Sequence, residues 1–115
     1  MQLKETRDGD VLALAAAGRL DHETADGFQK SLGPFLANCK AGGDSLVIDL
    51  ADVSYISSVG LRALLVASKQ VKASEGKIAV AAMQATVAEV FRISRFDAIL
   101  PAYSSVEDAV AALKR

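Results

Sequence analysis

The chain of 115 residues carries one cysteine, Cys39, one histidine, His22, two prolines and no tryptophan. A lone cysteine cannot close an internal disulfide, and one Cys with one His cannot complete a structural zinc site. The fold must be held by packing, and the unpaired thiol fits a reducing compartment, so a soluble cytoplasmic protein is expected. Charge of one sign is also lacking: thirteen basic residues face fourteen acidic ones, and aromatics make up 5% of the chain. Nucleic-acid binders draw much of their affinity from basic stripes that neutralise phosphates, so nucleic acid is not an expected partner. No apolar run approaches the ~20 residues that span a bilayer, so direct membrane insertion is not expected. Met1 to Asp10 is polar and mixed in charge, unlike a secretory signal.

What the chain does have is apolar residue: 51% of the sequence, spread along its length without repeats or linkers. That is enough for one core, and a single domain over residues 1–115 is expected. Two periodicities alternate. Gln2 to Thr6 and Val11 to Ala17 flank Asp8-Gly9-Asp10 and predict a β-hairpin. From Asp21 the period becomes helical, with Ala25, Phe28, Leu32, Phe35 and Leu36 on one face. Gly33-Pro34 late in that pattern predicts a kink or break. After the turn Gly42-Gly43-Asp44, the run Leu46-Val47-Ile48 reads as a strand buried on both faces. Leu61, Leu64, Leu65, Ser68 and Val71 return to helical spacing, with Gly76 as the stop. Ile78 to Ala82 is a strand, Val87, Val90 and Phe91 mark a short helix, and Ala98 to Tyr103 suits an edge strand that tolerates Pro101. Ser104 followed by Glu107 has the form of a capping box, before a stripe of Val106, Ala109, Val110 and Leu113. The order β-β-α-β-α-β-α-β-α predicts an α/β fold: a mixed, mostly parallel sheet with alternating helices.

The segment Leu46 to Leu65 concentrates the chemistry. A buried strand ending at Asp49 and a short loop lead to Ser57-Ser58-Val59-Gly60, which opens an amphipathic helix. Ser57 or Ser58 suits an N-cap, whose hydroxyl accepts from free N–H groups of the first turn. Gly60 leaves room for a partner or phosphate to approach the backbone, and a helix start favours negative charge. A serine there can be a simple cap or the carrier of a phosphoryl group, and spacing alone leaves both open. Asp21 suits an N-cap of the first helix, and Asp49 an anchor of the following loop. His22 reads as an exposed helix-start residue without a nucleophile beside it. Ala41-Gly42-Gly43 lacks the Lys-Ser/Thr of a P-loop. Arg92 and Arg95 around Ser94 read as a solvated face, and Cys39 as a packing residue. With no nucleophile–base pair, an enzyme is not expected.

Residues 46–65, LVIDLADVSYISSVGLRALL, resemble the signature of the STAS domain family, the anti-sigma-factor antagonists and their relatives. That signature is a hydrophobic strand ending in Asp-Leu, a loop, and Asp-Ser-Ser-Gly-Leu opening a helix. Gly18-Arg19-Leu20-Asp21-His22-Glu23-Thr24-Ala25 is similar to the family's Gly-x-Leu-Asp before its first helix, and the element order agrees along the chain. The resemblance implies a non-catalytic binding domain without cofactor. Its partners would be an anti-sigma factor that is itself a serine-protein kinase of the histidine-kinase-like ATPase type, and a serine phosphatase that resets the switch. Aligned on Gly60, the usual acceptor position falls on Val59, which has no hydroxyl. Ser58 is then the favoured acceptor and Ser57 the next. The docking face implied comprises Asp21, Tyr55, Ser57, Ser58, Val59, Gly60 and Arg62. The alternative is a small cytoplasmic STAS subunit of a lipid-transporting ABC transporter, which would clamp its ATPase without phosphorylation.

Overall fold

The computed structural model describes residues 3–114. The expected first strand includes Gln2, which lies outside the described residues; the observed β1 is Lys4–Asp8. It turns through Gly9, whose φ of 62° suits a residue without Cβ, into β2, Val11–Leu20. The chain continues as α1 (Ala25–Asn38), β3 (Ser45–Ile56), α2 (Ser58–Ala73), β4 (Ile78–Ala81), α3 (Ala85–Ile93), a single 3-10 turn, β5 (Ala102–Tyr103) and α4 (Val106–Leu113).

The five strands lie in sequence order, β1 antiparallel to β2 and β2 to β5 mutually parallel. This is the mixed, mostly parallel sheet with alternating helices that the periodicity predicts. When consecutive parallel strands are neighbours, right-handed crossovers place every connecting helix on one face. Accordingly Leu12, Leu14, Ala16 and Leu20 of β2 and Leu46, Ile48 and Leu50 of β3 share one core with Phe28 and Leu32 of α1, Leu64 and Val71 of α2, and Phe91 of α3. Among the described residues the opposite face has only α4, whose Ala109 and Leu113 pack on Val11, Ala13, Val47, Ala79 and Ala81. The rest of that face is open.

Four local expectations are corrected. Pro34 does not break α1, which runs through it. Gly33 and Pro34 are exposed while Phe28, Leu32 and Leu36 remain seated in the core, so packing outweighs one missing backbone donor. Asp49 does not end its strand. β3 has 12 residues and reaches Ile56, because Asp49 and the residues after it lie where α4 leaves the sheet uncovered, and polar side chains are at home there. The cap of α4 is Ser105, whose Oγ accepts from Asp108 N–H at 3.1 Å, while the Ser104 hydroxyl turns to the Asp108 carboxylate at 3.3 Å. At the end of α2, Gly76 N–H reaches Val71 O and Glu75 N–H reaches Lys72 O, closing a Schellman motif. The left-handed residue is Glu75, φ 59°; Gly76 has its own reason, since a Cβ there would meet Cys39 O at 2.5 Å.

Candidate docking and switch site

Parallel strands deliver their loops to one edge of the sheet. Here β2 and β3 end together on the rung Leu20–Ile56. The Ser57 N–H donates to Leu20 O at 3.0 Å, which fixes the start of α2 against the end of β2. Ser57 is the N-cap: its backbone is extended and its Oγ accepts from Gly60 N–H at 3.2 Å. That hydroxyl is committed and half-buried. Ser58, the first residue of α2, is exposed, and its hydroxyl has no hydrogen-bond partner among the described residues. Val59, 44% exposed, and Arg62, also exposed, follow on α2.

Gly60 is not open to a partner. It is buried, and a Cβ there would lie 2.3 Å from Leu20 O and 3.0 Å from the Ile56 side chain. The missing side chain lets α2 sit directly on the end of its own β2, and the close approach is internal.

Asp21 lies just past β2 and is almost buried. It is not the N-cap of α1, which begins at Ala25 after Thr24. Instead it organises the turn ahead of that helix. Its Oδ1 accepts from Glu23 N–H at 3.0 Å, its carbonyl accepts from Thr24 and Ala25 N–H, and its own N–H donates to Thr24 Oγ1 at 3.0 Å. Thr24 Oγ1 donates in turn to Arg19 O at 2.7 Å. Burial pushes the Asp21 carboxyl up, but the Glu23 N–H, the Arg19 guanidinium and the Thr24 contact together hold it below its ordinary value. Arg19 Nε is 3.2 Å from Asp21 Oδ2, and its guanidinium carbon lies 4.2 Å from the centre of the Tyr55 ring. Arg19 and Tyr55 face each other across the β2–β3 ladder, beyond a register shift.

The structure therefore brings Asp21 and Tyr55 together through Arg19, and sets Ser57, Ser58 and Gly60 just past the last rung of the ladder, Leu20–Ile56. Arg19 escapes a reading by sequence because its partnership depends on strand register; its place in the Gly-x-Leu-Asp segment is the only signal. Elsewhere, His22 is exposed beside Glu23, and Cys39 is buried with its thiol on Lys77 O at 3.2 Å. Burial raises the Cys39 thiol above its ordinary value, despite its hydrogen bonding with the backbone at Lys77 and Leu46. Arg92 pairs with Glu89. Asp49 Oδ1 accepts from Ala51 N–H within its own strand.

No cluster of three or more metal-ligating side chains occurs among the described residues, and no helix among them is long and apolar enough to cross a membrane. A groove of about 660 Å³ lies on the other face, between α4 and the sheet, lined by Lys4, Ala13, Asp49, Asp52, Val106 and Lys114 among others. None of the residues expected to dock a partner lines it. The site is an edge carrying an exposed aromatic, an exposed valine and two arginines, a surface suited to a protein partner rather than a small molecule.

Known proteins share this fold. The family described as STAS domain matches residues 2–109. A Bordetella bronchiseptica protein, BtrV, named as an anti-sigma factor antagonist, is 32% identical over 114 residues, which cover 99% of this chain and 96% of the relative. A solved anti-sigma factor antagonist from Mycobacterium paratuberculosis has a TM-score of 0.88 at 24% identity, covering 99% of this chain and 94% of that one. The Bacillus cell fate determinant SpoIIAA, also an anti-sigma factor antagonist, is solved in two forms. The unphosphorylated form has a TM-score of 0.75 at 16% identity, covering 98% of this chain and 96% of that one. The phosphorylated form has a TM-score of 0.69 at 15% identity over 98% of this chain and all of that one. With its sheet order, its serine-capped second helix and a family match over nearly its whole length, the chain belongs to the STAS domain family.

Proposed function

We propose that this protein is an anti-sigma factor antagonist: it binds an anti-sigma factor through the edge formed by Asp21, Tyr55, Val59 and Arg62, and phosphorylation of Ser58 ends the binding. The observation that carries the reading is the contrast between the two serines. Ser57 is engaged as the cap of α2, whereas Ser58 presents a free hydroxyl on the same exposed edge. The name of the Bordetella relative and the phosphorylated form of SpoIIAA support it.

The partner on this reading is a kinase of the histidine-kinase-like ATPase type. Ser58 Oγ attacks the γ-phosphorus of the kinase's ATP, an Oγ–P bond forms, the bond to the ADP oxygen breaks, and the hydroxyl proton passes to a base of the kinase. A serine phosphatase reverses the state by hydrolysis, water supplying the new oxygen on phosphorus and a proton returning to Ser58. The added charge of about −1.5 to −2 falls in the middle of the docking edge and opposes rebinding.

The test is affinity capture from the native cells with phosphosite mapping. The expected result is an ATPase of that type with phosphate on Ser58, and binding weakened by S57D/S58D while S57A/S58A retains the fold. Capture of an ABC transporter ATPase by an unmodified chain, or equal kinase affinity for wild type and the Asp variant, overturns it.

A further inference from the structure

We propose that Arg19 and Arg62 form an anion site whose occupant is the phosphoryl group on Ser58, so that the phosphorylated state is held within the chain rather than left pointing into solvent. The inference rests on Ser58 being the acceptor and adds what receives the phosphate.

Arg62 stands four residues after Ser58 on α2, so the two side chains share a helix face, with the negative group N-terminal to the positive one, the favourable order. Arg62 is exposed and has no ionic or hydrogen-bond partner among the described residues. Arg19 comes from the other side. It faces Tyr55 on the β2–β3 ladder, and the adjacent residue, Leu20, holds the Ser57 N–H through its carbonyl. Only Nε of Arg19 is engaged, on Asp21. Its two terminal nitrogens have no partner among the described residues, and their N–H groups form the fork that takes phosphate oxygens bidentately. The Arg19 side chain is 61% exposed, so a phosphoryl group at the start of α2 has to draw it away only from Asp21 and the Tyr55 ring.

Swinging has a consequence for docking. A phosphoryl oxygen competes with Asp21 for Arg19, and a guanidinium drawn toward Ser58 leaves the Tyr55 ring. Phosphorylation would then alter the docking edge at three residues besides Ser58: Arg19, Asp21 and Tyr55.

The experiment uses the full chain with phosphoserine inserted at position 58 during translation, so no kinase is needed and the outcome is independent of which enzyme, if any, modifies Ser58 in the cell. The second ionisation of the phosphate is followed by phosphorus NMR, which reads the phosphate alone. A free phosphoserine ionises near pH 6; a cationic neighbour favours the dianion, so the midpoint is expected about half a unit lower in the wild-type sequence than in R19Q or R62Q. K69Q, farther along α2, is the distance control and leaves it unchanged. Thermal melts confirm that each variant folds. Identical midpoints in all four proteins, or a shift in only one arginine variant, would overturn the two-arginine site. Unchanged midpoints with lost partner binding in R19Q and R62Q would assign the arginines to the partner's carboxylates instead. Phosphosite mapping of the native protein separately decides whether Ser58 is modified at all.

Discussion

The two adjacent serines sit a few ångströms apart and carry different energies. Ser57 satisfies one of the otherwise unpaired N–H groups at the start of α2; Ser58 satisfies none. Ser57→Ala is therefore expected to cost about 1 kcal/mol of stability and Ser58→Ala only a few tenths, a difference that paired urea melts resolve. Equal losses would mean that the cap lies elsewhere. Asp21 adds a pH signature. Because its folded ionisation lies below the unfolded value of 3.8, its contribution is complete above about pH 5 and is lost as pH falls through the folded value. Asp21→Asn should thus lower the melting temperature at pH 7, and the gap to wild type should narrow as the pH falls below 3.8. A gap that persists there would mark Asp21 as a packing residue and not a charge.

Among the elements, α1 contains an internal concession. Pro34 deprives the helix of one donor in its third turn, and the residue is exposed, so no packing is lost by replacing it. Pro34→Ala is expected to raise stability by about 1–3 kcal/mol, checked by the urea midpoint; no gain would show that the last turn was already independent of that bond. Such element-level detail also marks what the sequence reveals. The alternation of elements, the buried character of Leu46 to Ile48 and the serine start of α2 follow from composition and period, which act within a few residues. The length of β3 does not. Asp49 and Asp52 look like loop residues until it is known that α4 covers only part of their face. In the site, a serine cap at Ser57 or Ser58 was legible, since capping is local; which of the two it is was not. The inward packing of Gly60 and the Arg19–Tyr55 pairing were not, because each depends on a strand arriving from more than thirty residues away with a shifted register.

At the scale of the whole molecule, three helices guard one face of the sheet and α4 alone guards part of the other. Removing residues 104–115 would bare Val11, Ala13, Val47, Ala79 and Ala81. The truncated chain is expected to keep most of its far-ultraviolet circular dichroism, bind hydrophobic dyes and lose cooperative melting; a sharp transition would show that the first face suffices alone. The length of β3 carries a different consequence. β4 pairs only with Leu46 to Asp49, so the strand's second half has β2 on one side and no strand on the other. From the start of α3, the Gln84 side-chain amide donates to Ala51 O at 2.8 Å, and the Thr86 hydroxyl lies 3.4 Å from Ser54 O. These two side chains occupy the positions that an added strand from another molecule would seek. They act as a built-in stopper against edge-to-edge polymerisation, and their conversion to alanine would shorten the shelf life of a concentrated solution long before it changed the melting temperature.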